Sequence, residues 1–263
     1  MGFLPYFRKY LRHQLQAKNA YGIHSPFVFS FYNAAVRKAP KINSAAKWEK
    51  IRKALLSDPR IIKIQDLGAG SRMHRSDLRH VKRIAAVDLK PLKQDLFIFR
   101  LVTWLKPDCI IELGTSLGIS STYMADAAPE IPIHTIEGSH EIAKIARETH
   151  LVAGKTNIQL HEGNFDAILP ELLKKLQSDK FILCADGNHQ KEATLRYFNW
   201  TLNHAGPNSL MIIDDIHWSP GMEEAWESII QHPDVSLSLD LFFLGLIFFK
   251  QSRAKEHFKI RFW

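Results

Sequence analysis

In Cys109-Ile-Ile-Glu112-Leu-Gly114-Thr-Ser-Leu-Gly118, an apolar run breaks on two glycines and resumes as the amphipathic stretch Ile-Ser-Ser-Thr-Tyr-Met-Ala125. That order reads as a buried strand, a tight turn and a helix, and a glycine turn lets backbone N–H groups approach a ligand closely. The next apolar run, Ile131-Pro-Ile-His-Thr-Ile-Glu137, closes on an acid nineteen residues after Gly118. An acid at that place and spacing is suited to grip ribose hydroxyls. The ordered set describes a nucleoside-binding β–α–β unit.

The glycine spacing narrows the ligand. A dinucleotide fingerprint has a second glycine two residues after the first, so that a pyrophosphate can touch the backbone. Here that place is Ser116, which argues against a nucleotide-binding oxidoreductase and for a nucleoside with a smaller polar tail. The segment ELGTSLGISSTYMA, 112–125, resembles motif I of the class I S-adenosylmethionine-dependent methyltransferases, in particular the catechol and caffeoyl-CoA O-methyltransferase branch. The resemblance implies a cofactor site over Glu112, Gly114, Thr115, Ser116 and Gly118, with Ser120 on the methionine carboxylate and Glu137 on the ribose.

Strands and helices alternate from 108 onward. The strand candidates are DCIIEL, IPIHTIE, NIQLHEG, FILCAD and SLMIIDD, followed by VSLSLDLF and LGLIFFK with no room for a helix between them. Alternation implies a parallel sheet covered by helices on both faces. The close final pair implies an antiparallel last strand, as in the seven-stranded Rossmann-like methyltransferase sheet. Residues 1–60 read as helices over FRKYLRHQLQAK, SPFVFSFYNAAVRKA and SAAKWEKIRKALLS, with Ser25-Pro26 as a helix start. The expected division is a mostly helical extension or cap over 1–107 and a methyltransferase domain over 108–263.

A rival turn lies upstream. IIKIQDLGAGS, 61–71, also reads as a strand followed by GxG, and Asp88 closes a second apolar run eighteen residues after Gly70. Asp66, Gly68, Gly70 and Asp88 would make a comparable loop. Starting there leaves nine strand candidates, whereas starting at 108 leaves seven in the required order.

Ligands of such sheets bind outside the carboxyl ends of the strands. The third strand candidate ends at Asn164, which by resemblance meets the adenine amino group; the plain alternative is a turn asparagine. The fourth ends in Asp186-Gly-Asn-His189 and the fifth in Asp214-Asp215-Ile-His217-Trp218. Three carboxylates converging from neighbouring strand ends repel unless compensated, and Asp186, Asp214 and Asp215 together suit Mg²⁺ or another hard divalent cation. The pair resembles the metal-holding acids of macrocin-type sugar O-methyltransferases; the alternative has Asp186 on the methionine amino group and the pair capping a helix. His189 stands where catechol-type enzymes carry a lysine base, and an imidazole can accept a hydroxyl proton near neutral pH. His189 and Asp186 are therefore the expected catalytic residues, with His217 a second candidate base and His24 of the HSPF segment a candidate lining residue.

Composition sets the class. The 263 residues are 46% hydrophobic, enough for one large α/β core with length to spare. Cys109 and Cys184 fall inside apolar runs and read as small core residues. The longest apolar stretch, 241–249, is shorter than the ~18 residues a membrane span needs, and the first residues lack a signal-peptide core, so the expected compartment is the cytoplasm. Residues 1–100 carry a net +15 and residues 101–263 a net −7. The basic region admits an RNA methyltransferase, but its aromatics cluster near YGIHSPFVFSFY and read as packing. The expected acceptor is a hydroxyl of a small molecule, and a homodimer is compatible with the chain.

Overall fold

The computed structural model describes residues 3–37, 45–64, 77–250 and 254–262. Ahead of the main sheet run α1 (Phe3–Gln16), α2 (Pro26–Phe31) with a wider π-helical turn over 32–37, and α3 (Ala45–Ser57). A short antiparallel pair follows, β1 (Ile61–Lys63) with β2 (Leu78–His80), then α4 (Val81–Asp88) and α5 (Leu92–Leu105). From there β3 (Cys109–Leu113), α6 (Ile119–Ala127), β4 (Ile133–Glu137), α7 (His140–Ala153), β5 (Ile158–Glu162), α8 (Phe165–Lys174), β6 (Phe181–Ala185), α9 (Lys191–Leu202), β7 (Leu210–Asp214) and α10 (Pro220–Gln231) alternate. The chain closes with β8 (Val235–Asp240), β9 (Leu244–Phe249) and β10 (Glu256–Lys259).

The main sheet has the order β10-β8-β9-β7-β6-β3-β4-β5, and β9 alone runs antiparallel to its neighbours. This is the expected methyltransferase sheet with one addition. Glu256–Lys259 pairs parallel to β8 and makes an eighth strand. Its charged, short sequence has no apolar run to announce it, because only Phe258 of the four is buried.

Alternation of side chains divides the core in two. Ile110, Ile182 and Ile212 face one cluster with Phe97 and Leu101 of α5, while Ile111, Leu183 and Ile213 face Leu169, Tyr197 and Trp226 of α8, α9 and α10. β3 and β6 are buried along their whole length, as a strand covered on both faces must be. Cys109 and Cys184 are free thiols inside this core.

Val28, Phe31 and Ala35 belong to the same cluster as Ile110 and Leu210, so α2 and the turn after it share the core of the sheet. Phe31 meets Phe97 and Trp104 edge-on at ring separations of 6.1 and 5.8 Å. Full burial of a phenylalanine stabilises by about 1.5–3 kcal/mol, which ties this segment to the sheet. Phe27 and Tyr32 also pack on the cluster, whereas Tyr21 and Phe29 are exposed.

Two local expectations change. Ser25 does occupy the N-cap of α2, but its hydroxyl donates to Glu256 (2.9 Å) rather than capping the helix. The run 84–89 of the rival loop is the helix α4, with Val81, Ile84 and Ala85 buried at helical spacing, rather than a strand. Asp66, Gly68 and Gly70 lie outside the described residues. Among the described residues no helix is long and apolar enough to cross a membrane.

Candidate active site

The carboxyl ends of β3, β4, β6 and β7 converge on one edge of the sheet. The turn after β3 holds Gly114 at φ 94° and Gly118 at φ 80°, in the left-handed region that glycine tolerates. A Cβ on Gly114 would also collide with the Asp186 carbonyl, so the turn packs directly on the end of β6. Ser116, Asn188 and Asp215, one after each of β3, β6 and β7, adopt φ of 47°, 53° and 54°. Non-glycine residues held there store strain, and such strain clusters at functional sites.

Glu137 stands at the end of β4 beside this turn. Its carboxylate accepts from the backbone N–H of Ser116 (3.0 Å) and of Ser139 (2.9 Å). Glu112 points the other way, into the core. It accepts from Thr135 Oγ1 at 2.6 Å, and burial pushes its carboxyl up to about 8. Thr115 shares that network through Thr135, 2.6 Å away. Both therefore support the turn from beneath. Ser116 donates its hydroxyl to Asp88 (3.1 Å). Ser120, on the first turn of α6, faces Asp95 at 3.5 Å. Asn164 caps α8, its side-chain oxygen accepting from the Asp166 N–H at 2.8 Å.

Opposite the turn, Asp186 and Asp214 flank a lysine. Lys90 Nζ lies 2.9 Å from Asp186 Oδ2 and 2.5 Å from Asp214 Oδ2. Burial works against charge on all three. Even so, Lys90 holds the Asp186 carboxyl at about 2, and the two acids keep Lys90 protonated well above the ordinary lysine range. Burial and the Asp186 charge push Asp214 upward; burial also raises Asp215, against the pull of His189. The compensating charge expected from a divalent cation is thus supplied by an ammonium group. Hard-cation ligands lie about 2.0–2.6 Å from the ion, so a metal between Asp186 and Asp214 would overlap Lys90 Nζ. The carboxylates present do not fit a metal, and among the described residues no group of three or more His, Cys, Asp or Glu side chains is arranged to hold one.

His189 is half-buried on the turn after β6, within electrostatic reach of Asp186 and Asp215. His217 has another role. Its Nε2 lies 3.0 Å from Asp240 and its Nδ1 3.2 Å from Glu223, and despite burial these acids raise its pKa. Both ring nitrogens are thus engaged by carboxylates away from Asp186 and His189. His24 is exposed, next to Ser25, which bonds the amino-terminal end of β10, so it sits at the end of the sheet away from the site.

Sequence reasoning missed what covers this edge. Tyr6 of α1 meets Trp218 and Phe242 at ring separations of 6.0 and 5.2 Å, and burial together with Asp215 and Asp214 raises its phenol pKa. Arg52 of α3 donates to the Leu89 carbonyl (3.3 Å), to the Lys90 carbonyl and to Asp95 (3.2 Å). Burial pushes Asp95 up to about 7 against the pull of Arg52 and Lys90. The one available signal was the uncompensated acid at 186, 214 and 215 facing a +15 region.

Comparison with known proteins agrees with this geometry. Residues 111–216 match the family model described as a methyltransferase domain. A catechol O-methyltransferase of Niastella koreensis is 29% identical over 133 residues, 50% of this chain and 59% of that protein. The chain thus spans less than two thirds of that relative. The SAH-bound methyltransferase PaMTH1 of Podospora anserina shares the fold at TM-score 0.58 and 15% identity, covering 87% of this chain and 97% of that one. The O-methyltransferase TomG of Streptomyces achromogenes, solved with SAM, gives 0.53 at 20% identity over 62% of this chain and 82% of its own. Residues 111–216 thus match a methyltransferase domain, and the chain shares the fold of solved methyltransferases.

Proposed function

We propose that this protein transfers the methyl group of S-adenosylmethionine to a hydroxyl oxygen of a small molecule. The observation that carries the reading is the meeting, at one sheet edge, of the glycine turn and Glu137 with Asp186, His189 and Asp215. The matched domain and the names of the relatives support the same chemistry.

S-adenosylmethionine, when bound, supplies an electrophilic methyl on a sulfonium. This chain's residues bind it and align the acceptor. Glu137, fixed by two backbone N–H groups, presents its carboxylate to the ribose hydroxyls. The turn at Gly114 to Gly118 brings backbone close to the nucleoside, Ser120 takes the methionine carboxylate, and Asn164 stands at the adenine edge. Asp186, ionised beside Lys90, suits the methionine ammonium. His189 accepts the acceptor's hydroxyl proton as its oxygen takes the methyl. Most of the acceleration then comes from alignment, because methyl transfer is an in-line displacement.

Helix α1 shapes the acceptor side, since it places Tyr6 beside Asp214 and Asp215. The setting is the cytoplasm. Isothermal titration with S-adenosylhomocysteine and with NADH tests the cofactor: binding of NADH alone would sink the assignment.

A further inference from the structure

We propose that Lys90 is the resident cation of this site, taking the position between Asp186 and Asp214 that a divalent metal would need, so that the protein aligns its acceptor without metal. The inference rests on the methyltransferase reading for what the site does, and on geometry for what Lys90 does there.

Three observations carry it. The first is occupancy: Nζ lies 2.5 Å from Asp214 Oδ2 and 2.9 Å from Asp186 Oδ2, and the lysine side chain is only 9% exposed. An ammonium has three donors, so a tetrahedral centre can satisfy one oxygen of each acid and still point a third N–H inward.

The second is anchorage. Lys90 lies between α4 and α5, followed by Pro91, which caps α5 at φ −53°. Arg52 reaches across from α3 to the carbonyls of Leu89 and Lys90, and is itself paired with the fully buried Asp95. α3 is seated through Trp48, Ile51 and Leu55 against Val81 and Ile84 of α4 and Ile119 of α6. The backbone that carries Lys90 is therefore fixed on both sides, unlike that of a surface lysine free to swing away.

The third is charge. The ammonium stands at ion-pair distance from both acids at once, so it offsets the repulsion that two neighbouring carboxylates would otherwise exert on each other. Removing it would leave two partly buried carboxylates facing each other without a counter-charge, the situation in which a divalent ion binds. Lys90 is thus a positioning residue. It orders Asp186 and Asp214 and leaves Asp215 and His189 to face the acceptor.

The test uses the full-length protein after chelator treatment. Uptake of Mn²⁺ is followed by loss of the free-ion electron paramagnetic resonance signal, and S-adenosylhomocysteine binding is measured separately by calorimetry. Wild type is expected to take up no Mn²⁺ and to retain turnover in chelator. Lys90→Met should take up one Mn²⁺ per chain, and Lys90→Arg, which keeps the charge, should not. One Mn²⁺ per wild-type chain, or wild-type turnover abolished by chelator and restored by Mg²⁺, overturns the proposal. If Lys90→Met fails to fold, the wild-type measurements decide it alone. Loss of S-adenosylhomocysteine binding in a folded wild type that still ignores Mn²⁺ removes the methyltransferase reading and leaves the lysine assignment standing.

Discussion

His217 Nε2 lies 3.0 Å from Asp240 Oδ2, and the second Asp240 oxygen lies 3.1 Å from His13 Nε2 on α1. One nearly inaccessible carboxylate at the end of β8 therefore ties the first helix of the chain to the edge of the sheet that carries the site. Lys9 to Glu223 (2.5 Å) and the ring of Phe242 on His13 and His217 complete the clasp. Asp240→Ala should destabilise by about 3–5 kcal/mol, because it strands buried donors. Chemical denaturation measures this.

The same clasp sets a pH dependence. The acids raise the His217 pKa, so its contribution is complete below the ordinary histidine value of about 6.5 and fades as pH rises through the raised value. His13 and His217, against burial, hold Asp240 below the usual carboxylate range, so its contribution is complete above about 3.9 and fades as pH falls toward the lowered value. The stability difference between wild type and His217→Ala should peak between about pH 4 and 6.5. Melting temperatures across pH 3–9 check the shape; a difference that keeps growing above pH 8 contradicts it.

Glu137→Ala should weaken S-adenosylhomocysteine by about 1–3 kcal/mol, the worth of lost buried hydrogen bonds. Because Glu137 also holds the Ser116 N–H, part of that loss reflects a looser turn. Glu137→Gln, which keeps an acceptor, should lose less by calorimetry.

His189→Ala should lower turnover by about 10²–10⁴-fold while cofactor affinity is kept. His217→Ala, whose ring is engaged by Asp240 and Glu223, should lower stability far more than it lowers turnover of the folded fraction. The reverse pattern would make His217 the base.

Tyr6→Ala should raise KM for the acceptor and leave S-adenosylhomocysteine affinity unchanged, since Tyr6 stands with Trp218 over Asp214 and Asp215. Steady-state kinetics with a phenolic acceptor panel reads this directly. If instead an RNA binds with affinity falling steeply in salt, as counterion release demands, the acceptor is nucleic acid and the +15 region is its footprint.

What could be read along the chain was local in origin. A run such as CIIEL is apolar without alternation because both faces are covered, the turn shows its glycines because φ is positive there, and Glu137, Asp186 and Asp214 end their strands within a few residues of the runs that mark them. Those signals were enough for the alternating strands, the antiparallel last strand of the seven, the turn and the row of acids at the sheet edge. The partner of the acids was not legible. Lys90 is one of 35 lysines and arginines, it is 96 residues from Asp186, and no periodicity distinguishes it from its neighbours. Only the packing of α3, α4 and α5, with Arg52 holding the 89–90 carbonyls, brings its ammonium between Asp186 and Asp214. The partners of His217 were hidden for the same reason: two residues after Asp215 it reads as a second candidate base, but the fold brings Asp240 and Glu223 to its two ring nitrogens. Backbone periodicity is written in neighbouring residues, whereas charge compensation depends on which distant side chain the fold delivers to a buried acid.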